Sequence, residues 1–260
     1  MKIKYIFLVL LCSSFLLACQ TEKTPERILA IFAHPDDETT IGPVLAKYAQ
    51  TDSVYLLIAT DGQFGVTEHA GIPAGDSLVA IRKLEAECSC RSLGIHAPII
   101  LNKQDGLGLN GQGDFYKQVT ELKVNLLEEI QRIKPTKIIT FGAEGDTGHP
   151  DHRMVGNLTT EVLLQEGLIH DIDLYYFGWI KAQSEKYSWW ELNYVHESGL
   201  DRQISYSEND KQKAIASINC YESQFSPEEI NRWVLAENKD KSNQLFFRKF
   251  IVDQKKHSEL

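Results

Sequence analysis

The chain has few cysteines, no excess of basic charge and no repeated sequence. Its 260 residues include five cysteines, and 27 lysines and arginines stand against 36 aspartates and glutamates, which gives a formal net charge of −9. This cysteine usage fits neither a disulfide framework nor a paired CxxC metal site. The acidic balance argues against a nucleic-acid backbone as the main partner, since such a partner requires a basic surface. No run of like charge and no internal repeat of solenoid length occurs.

The remaining composition is that of a globular protein of moderate size. Hydrophobic residues make up 43% of the chain and charged residues 24%, which excludes a wholly disordered or fibrous chain. At roughly 100–200 residues per domain, this length favours one large domain and allows at most two. Because no linker interrupts the chain after residue 26, we predict one domain over residues 27–260. A chain of this length can bury a core and still form a cleft.

The N-terminus has the pattern of a bacterial lipoprotein precursor. Lys2 and Lys4 precede an apolar run that is too short for a comfortable membrane span, which indicates a secretory signal. The run ends in Leu16-Leu17-Ala18-Cys19, which resembles a lipobox. We predict a signal peptide over 1–18, an acylated Cys19 and a polar tether over 19–26. The acyl chains would anchor the domain in the cell envelope, at the outer membrane or the periplasmic face. An uncleaved anchor or a buried N-terminal helix is the alternative.

Three cysteines remain once Cys12 and Cys19 are set aside. Cys88 and Cys90 are separated by one residue on a predicted helix, so their side chains point to different faces and are poorly placed to pair with each other. We predict that these two and Cys220 are unpaired, buried or partly buried side chains.

The rest of the chain alternates predicted strands and helices. Short apolar runs in which polar residues do not alternate with apolar ones are typical of strands buried on both faces of a sheet. Such runs lie at Ile28–Phe32, Val54–Ala59, Ile99–Leu101, Lys137–Phe141 and Asp173–Phe177. Helical patterns lie at Ile41–Ala49, Ser77–Leu93, Phe115–Lys134 and His152–Glu166, and a helix start at Ser226 and a strand over Leu245–Val252 follow. This order predicts a Rossmann-like α/β domain with a mostly parallel sheet and helices on both faces.

Histidine and aspartate concentrate immediately after two of the predicted strands. The first strand is followed by Ala33-His34-Pro35-Asp36-Asp37-Glu38, and the fourth, after a short glycine-containing stretch, by His149-Pro150-Asp151-His152. Ligands of open α/β sheets bind beyond the carboxyl ends of strands, so the two clusters should face each other if these strands are neighbours. Two histidines and one carboxylate with open positions form a catalytic zinc site. The sequence therefore predicts a metal centre in which one aspartate of the adjacent pair is a ligand.

The two motifs together resemble the paired signature of the LmbE-like (PIG-L) zinc-dependent N-deacetylase family. Smaller matches follow in the same order, among them Thr60-Asp61-Gly62, Arg82-Lys83-Leu84-Glu85, Asp105-Gly106 and a late helix that ends at Ser223-Gln224. The resemblance covers roughly residues 27–224. It does not account for the tail from Phe225 onward.

The walls of the expected cleft have no recognisable family counterpart. We expect them to come from Gly65–Gly75 and from the aromatic stretch Tyr187–Tyr194. Trp179, Trp189 and Trp190 could stack on sugar rings, but we favour core positions for them.

The resemblance implies a metal centre and a general base. His34, Asp37 and His152 correspond to the zinc ligands, and Fe2+ or Co2+ could take the place of zinc. Zinc lowers the pKa of a bound water to roughly 7 and so provides a nucleophile near neutral pH. Asp36 corresponds to the base that takes the proton of this water. The reaction would be hydrolysis of an amide, with acetate as the expected carboxylate product.

Four further residues receive roles from the same resemblance. His149 corresponds to the residue that stabilises the oxyanion or protonates the leaving amine, and Asp151 would orient it. Arg82 and Asp105 correspond to positions that contact the substrate. The implied substrate is an N-acetylated amino sugar such as N-acetylglucosamine, or a related glycoconjugate.

Three other functions remain open at this point. The protein could be an amidase of a non-sugar substrate, or a non-catalytic surface lipoprotein that contains a metal and binds carbohydrate. Two histidines and a carboxylate also describe the iron(II) oxygenase triad, but that triad does not require Asp36 and His149 beside it. A structural zinc site would be closed by four protein ligands, and the motifs supply three.

A glycine-rich segment matches a dinucleotide-binding motif in its residues but not in its position along the chain. Gly106–Gly111 spells GxGxxG, but it follows the third predicted strand rather than the first, and the next strand lacks the expected acidic residue. We predict a flexible loop rather than a dinucleotide site.

Overall fold

The computed structural model describes residues 24–107 and 114–253, which form one α/β domain. The strands are β1 (Arg27–Phe32), β2 (Ser53–Thr60), β3 (Ile99–Lys103), β4 (Lys137–Phe141), β5 (Asp173–Phe177), β6 (Trp179–Ile180), β7 (Tyr194–Val195), β8 (Arg202–Ser205) and β9 (Gln244–Lys249). The helices are α1 (Gly42–Tyr48), α2 (Asp76–Leu93), α3 (Phe115–Ile133), α4 (Pro150–Gln165), α5 (Lys181–Lys186), α6 (Glu208–Ile218) and α7 (Pro227–Lys239). Each strand and helix that the apolar pattern predicted is confirmed, although the last strand ends at Lys249 rather than Val252.

Two hydrophobic cores cover the two faces of the sheet. Successive residues of β1 point to opposite faces, so Ile28 and Ala30 join one core while Leu29 and Ile31 join the other. Helices α1, α2, α6 and α7 cover the first face, and α3 and α4 cover the second. Burial on both faces explains why these strands read as continuous apolar runs without alternation.

The order of the strands creates a crevice at one edge of the sheet. In the described part of the chain, the main sheet has the order β3-β2-β1-β4-β5-β9-β8. The first five of these strands are parallel, and β9 is antiparallel to both β5 and β8. The chain moves outward in one direction from β1 and in the other from β4, so the strand order reverses between these two strands. This is the point at which open α/β sheets bind their ligands.

The prediction that the three downstream cysteines are unpaired is wrong for two of them. Cys88 on α2 forms a disulfide with Cys220, which follows α6, across 5.8 Å between Cα atoms. The residues are 132 positions apart, so only the packing of α2 against α6 brings them together. Cys90 is free and buried in the core, as expected.

Two predictions fall wholly or partly outside the described residues. The proposed signal peptide, Cys19 and most of the tether precede residue 24, and the GxGxxG segment extends into 108–113. Among the residues that are described, no helix combines the length and the apolar character that a membrane span requires.

Candidate metal centre

The two histidine- and aspartate-rich segments meet at the carboxyl ends of β1 and β4. The first leads into a 3-10 turn over Asp37–Ile41, and the second enters α4 at Pro150. Gly156 of α4 lies directly against the carbonyl oxygen of Phe141, where a Cβ atom would collide with it, so this close approach requires glycine. The ring of His152 stacks on Phe141, the last residue of β4, with ring centroids 4.4 Å apart.

His34, Asp37 and His152 bring three potential metal ligand atoms together. His34 Nδ1 lies 3.2 Å from His152 Nε2, which lies 3.0 Å from Asp37 Oδ1. His34 Nδ1 and Asp37 Oδ2 are 3.7 Å apart. The backbone N–H groups of Ala33 and His34 both donate to Asp37 Oδ2, which fixes the carboxylate and directs Oδ1 toward His152. All three residues are buried.

Hydrogen bonds on the far side of each imidazole set its orientation. His152 Nδ1 lies 3.0 Å from the carbonyl oxygen of Gly145, so this nitrogen carries a proton, and in the neutral ring Nε2 has the lone pair. His34 Nε2 lies 3.1 Å from Asp105 and 3.2 Å from Asp151, which favours a proton on Nε2 and a lone pair on Nδ1. Partners of this kind fix the tautomer of metal-binding histidines.

The carboxylates of Asp105 and Asp151 both face Nε2 of His34. The carboxylate of Asp151 faces His34 and accepts the backbone N–H of Gly106, rather than orienting the ring of His149. Asp105 also faces His34 and accepts the backbone N–H of Phe64, although it lines the cleft where a substrate contact was expected. The direction of Asp151 is set by its place in the first turn of α4, which the sequence motif does not reveal.

His149 is held by the main chain instead. Its Nδ1 accepts the backbone N–H of Asp151 at 3.1 Å, so in the neutral ring the proton is on Nε2. The ring meets His34 edge to face with centroids 4.7 Å apart. Burial lowers the pKa of His149, and nearby positive charge on His34 and His152 lowers it further. A neutral imidazole with a free N–H thus borders the cleft.

Asp36 is held in a strained conformation beside Asp37. Its φ of 112° lies in a region that residues other than glycine rarely adopt, at a cost of about 1–3 kcal/mol. The buried carboxylate of Glu38 accepts the backbone N–H of Asp36 and is itself held by Ser89 and Tyr221. Burial raises the pKa of Asp36 to about 7, against the opposing charge of Arg82. Strain of this kind concentrates at functional sites.

Arg82 lines the cleft, but its guanidinium is mostly engaged by neighbouring protein atoms. It is only 3% exposed, and its guanidinium donates to the carbonyl oxygens of Gly62 and Pro35 and lies 3.2 Å from Asp36 Oδ2. A Cβ atom at Gly65 would collide with this guanidinium, so a larger residue there would require Arg82 to shift. The predicted substrate-contact residue is thus engaged mainly with the protein itself.

The charged groups of the cluster stabilise one another's ionised forms. Burial works to lower the pKa of His34, but hydrogen bonds to Asp105, Asp151 and Asp37 outweigh it and raise that pKa well above its ordinary value. Burial likewise works to raise the pKa of Asp37, but His152 and His34 hold it well below its usual range. The cluster therefore favours a bound positive charge among ionised carboxylates.

Within the described residues, two groups of three have ligand atoms that all lie within 4.8 Å of one another: His34, His149 and His152, and His34, Asp105 and Asp151. The predicted set of His34, Asp37 and His152 is not one of these groups. Both groups contain His34.

Comparison with known proteins identifies the family. The profile described as PIG-L: GlcNAc-PI de-N-acetylase matches residues 29–163, just over half of the chain. The chain belongs to the PIG-L family. A 1D-myo-inositol 2-acetamido-2-deoxy-alpha-D-glucopyranoside deacetylase of Kineococcus radiotolerans is 28% identical over 163 residues, which cover 54% of this chain and 45% of that protein. The chain spans about half the length of the curated relatives it matches.

Solved structures share the fold over most of both chains. The N,N'-diacetylchitobiose deacetylase from Pyrococcus horikoshii has a TM-score of 0.64 at 19% identity, covering 87% of this chain and 84% of that one. GalB, the 4-carboxy-2-hydroxymuconate hydratase from Pseudomonas putida KT2440, has a TM-score of 0.61 at 15% identity and covers 90% of this chain and 100% of that one. Because these proteins catalyse different reactions, the shared fold does not by itself decide the chemistry.

Most of the aromatic wall of the cleft comes from residues outside the range matched to the PIG-L family. A cavity of about 450 Å³ opens beside the metal-centre residues. Its aromatic wall is formed by Phe64, Trp179, Trp190, Phe225 and Trp233. Gly65, Trp190 and Leu192 confirm in part that the two expected stretches border the cleft.

Several residues of this cleft belong to no motif in the sequence. Phe225 and Trp233 come from the unexplained tail, and Trp179 is both a buried core residue, as predicted, and part of the wall. Asp146 also lines the cleft and accepts the indole N–H of Trp179 at 2.5 Å. Asp146 stands three residues before His149, and this proximity to the second motif was the one available signal.

Proposed function

We propose that this chain is a metal-dependent hydrolase that removes an N-acetyl or other N-acyl group from an amino sugar or glycoconjugate. The observation that carries the proposal is the meeting of His34, Asp37 and His152 at the strand-order reversal, with Asp36 directly beside them. Membership in the PIG-L family and the deacetylase names of the relatives support the same reaction class.

The three ligand atoms suit a divalent ion. Bonds of roughly 2.0–2.2 Å in a tetrahedral site separate ligand atoms by about 3.4 Å. His152 Nε2 lies 3.2 Å from His34 Nδ1 and 3.0 Å from Asp37 Oδ1, and the other oxygen of Asp37 lies 3.7 Å from His34 Nδ1. We assign His34 Nδ1, His152 Nε2 and Asp37 Oδ1 as ligands of Zn2+, with Fe2+ or Co2+ as alternatives suited to the same donors. When bound, such an ion lowers the pKa of a coordinated water toward about 7 and polarises a carbonyl oxygen.

Asp36 is the proposed general base. Its carboxylate borders the cleft next to Asp37, and in the ionised state it would accept a proton from the attacking water. Arg82 holds one oxygen of this carboxylate, and Glu38 holds the backbone of the same residue. We therefore propose Arg82 and Glu38 as positioning residues for the base.

His149 is the proposed hydrogen-bond donor on the other side of the amide. Because its Nδ1 is occupied by a backbone N–H, the opposite nitrogen can donate a hydrogen bond to the carbonyl oxygen as that oxygen gains negative charge. The departing amine nitrogen then takes the proton that Asp36 accepted from the water. Asp105 and Asp151 would act through His34, whose Nε2 they both face.

Release of acetate and free amine tests the reaction. Metal-loaded protein should release both products in equal amounts from at least one member of a panel of N-acetylated monosaccharides, inositol glycosides and oligosaccharides. Cleavage of simple N-acetyl amides but of no sugar would establish an amidase of a non-sugar substrate. Saccharide binding with bound metal but no product release would establish the non-catalytic carbohydrate-binding alternative.

We further propose that the protein is exported and anchored through an acylated Cys19. The Cys88–Cys220 disulfide supports this proposal, because disulfides persist in oxidising compartments outside the cytoplasm. The Cys19→Ser precursor should remain unprocessed or leave the membrane fraction. Unchanged processing and fractionation of this variant would rule out the lipoprotein assignment.

A further inference from the structure

A second cavity lies on the opposite side of α7 from the candidate metal centre. It has a volume of about 690 Å³, larger than the cleft itself, and is formed by α5, α7 and the start of β9. A concave space of this size is typical of small-molecule sites rather than of flat protein interfaces. Trp190 and Trp233 face the cleft, whereas their neighbours Trp189 and Arg232 line the second cavity, which we call the α7 groove.

The charged side chains of the α7 groove that are left without an ion-pair partner among the described residues are positive, although the protein as a whole is acidic. Lys186, Arg232 and Lys239 line it, in a chain whose net charge is −9. Lys186 is neutralised by Asp240 at 2.9 Å and by Glu237 at 3.2 Å. Within residues 24–107 and 114–253, no hydrogen bond or ion pair engages the side chains of Arg232 and Lys239. These two exposed cations are therefore available to a ligand.

The two cations are presented by one face of one helix. Arg232 and Lys239 are seven residues apart on α7, so they lie two turns apart on the same side. Leu235, which is 50% exposed, lies between them and adds apolar surface at the rim. The fork of an arginine side chain suits the paired oxygens of a carboxylate or a phosphate.

An aromatic ring completes the groove. Trp189 is partly buried, packs edge to face against Tyr187 with centroids 5.7 Å apart, and lines the cavity. Trp and Tyr rings provide large contact area with little loss of conformational entropy. A ring-shaped ligand with hydroxyl groups can rest its apolar face on such a side chain while its charged group reaches the cations.

We propose that the α7 groove is an accessory binding site for an anionic saccharide. Its carboxylate or phosphate is held by Arg232 and Lys239, and a sugar ring lies against Trp189. The site does not depend on the hydrolytic reaction, and it shares α7 with the wall of the candidate active site. An oligosaccharide held there raises the local concentration of its neighbouring units at the cleft.

Isothermal titration calorimetry with three probes tests the site. A trigalacturonate supplies carboxylates, glucose 6-phosphate supplies a phosphate, and maltotriose is the neutral control. We expect at least one anionic probe to bind at least about tenfold more tightly than maltotriose, with affinity that falls as salt screens the cations. Binding of either anionic probe identifies the acidic group that the groove accepts.

Two sets of variants locate the binding. The double variant Arg232→Gln, Lys239→Gln should lower the affinity for the anionic probe by about tenfold or more, since two charge-assisted hydrogen bonds are lost. Trp189→Ala should weaken it about fivefold or more through the loss of ring contact. The matched control, Lys83→Gln with Arg91→Gln on α2, makes the same charge change elsewhere and should have less than about twofold effect. The charge variants keep the test decisive if Trp189→Ala does not fold.

Four outcomes would overturn the proposal. They are the absence of binding by both anionic probes at millimolar concentration, equal affinity for maltotriose, equal loss in the α2 control, and binding to anionic lipid vesicles without binding to either sugar. Small-molecule turnover is not part of the readout, so the groove and the proposed hydrolase can fail separately.

Discussion

The loops after β1 and β4 and the aromatic wall of the cleft are built in contrasting ways. The loops place charged side chains whose positions follow from short sequence motifs and from the ends of two neighbouring strands. The wall is assembled from Phe64 and from residues between 179 and 233 that meet only through long-range packing. The residues of the candidate metal centre can therefore be predicted from two short motifs, whereas the shape of the cleft beside them depends on long-range packing.

The largest expected effect comes from removing a proposed metal ligand. His34→Ala should lose the bound ion and lower kcat/KM to background, because it removes a ligand and also the partner of Asp105 and Asp151. Metal analysis and acetate release measure the two effects. His96→Ala, which removes an exposed ring stacked on Tyr55, is the matched control and should retain both. Full metal content in His34→Ala would contradict the ligand assignment.

The next largest effect concerns the disulfide that joins α2 to the segment after α6. Cys88→Ser should lower the free energy of unfolding by about 2–5 kcal/mol, because the Cys88–Cys220 bond closes a long loop. Denaturant unfolding measures the change. A reductant should destabilise the parent and Cys90→Ala but leave Cys88→Ser unchanged. Equal sensitivity of all three proteins to the reductant would show that the disulfide does not form.

A change in the wall should alter binding rather than chemistry. Trp190 packs against Phe225 and Trp233 with ring centroids 5.6 and 5.8 Å apart. Trp190→Ala should raise KM by about tenfold or more, through loss of aromatic contact area, while kcat stays within about threefold. Steady-state kinetics on the best substrate of the panel measures this separation. A large fall in kcat with unchanged KM would show that the wall takes part in the reaction itself.

The smallest effect concerns two hydrogen bonds that join Ser223 to Glu85 on α2. Glu85 accepts the backbone N–H and the hydroxyl of Ser223, next to Gln224 of the cleft. Burial raises the pKa of Glu85 in the folded protein, so folding favours the protonated form. The stability that this group contributes is therefore full below the unfolded pKa and is lost as pH rises through the folded pKa.

Glu85→Gln should remove this dependence on pH. The unfolding free energy of the parent relative to the variant should fall as pH rises through the folded pKa of Glu85. Chemical unfolding of both proteins at several pH values measures the difference. A constant difference across that range would show that Glu85 titrates alike in the folded and unfolded states.

Most of the fold followed from the sequence because its signals are local. The run Ile28–Phe32 is apolar throughout because both faces of β1 are covered by helices, and Pro135 marks the end of the helix before β4. β8 was missed because Arg202–Ser205 is a short, mostly exposed edge strand with little apolar pattern. The Cys88–Cys220 pairing was missed because it depends on how two distant helices pack.

The candidate site was predictable in its residues but only partly in their contacts. Because ligands of open α/β sheets bind beyond the carboxyl ends of strands, the sequence predicted that His34 and His152 lie close together. It could not show that Asp151 turns toward His34, or that Arg82 is buried beside Asp36, since both depend on side-chain directions set by tertiary packing. Phe225 and Trp233 carried no motif, so their place in the wall was not predictable.

The most direct test compares the two adjacent aspartates, which have the same side chain and differ only in environment. Asp36→Asn should retain about one divalent ion per chain and lower turnover by about 10²–10⁴-fold, with loss of the acidic limb of the pH–rate profile, because it removes a base and not a ligand. Asp37→Asn should weaken metal binding and activity together, because its Oδ1 is the proposed ligand atom beside His152. Elemental analysis and acetate release on the same preparations give both values. Loss of the ion in Asp36→Asn with retention in Asp37→Asn would reverse the two roles, and unchanged hydrolysis in both variants would place the active site elsewhere.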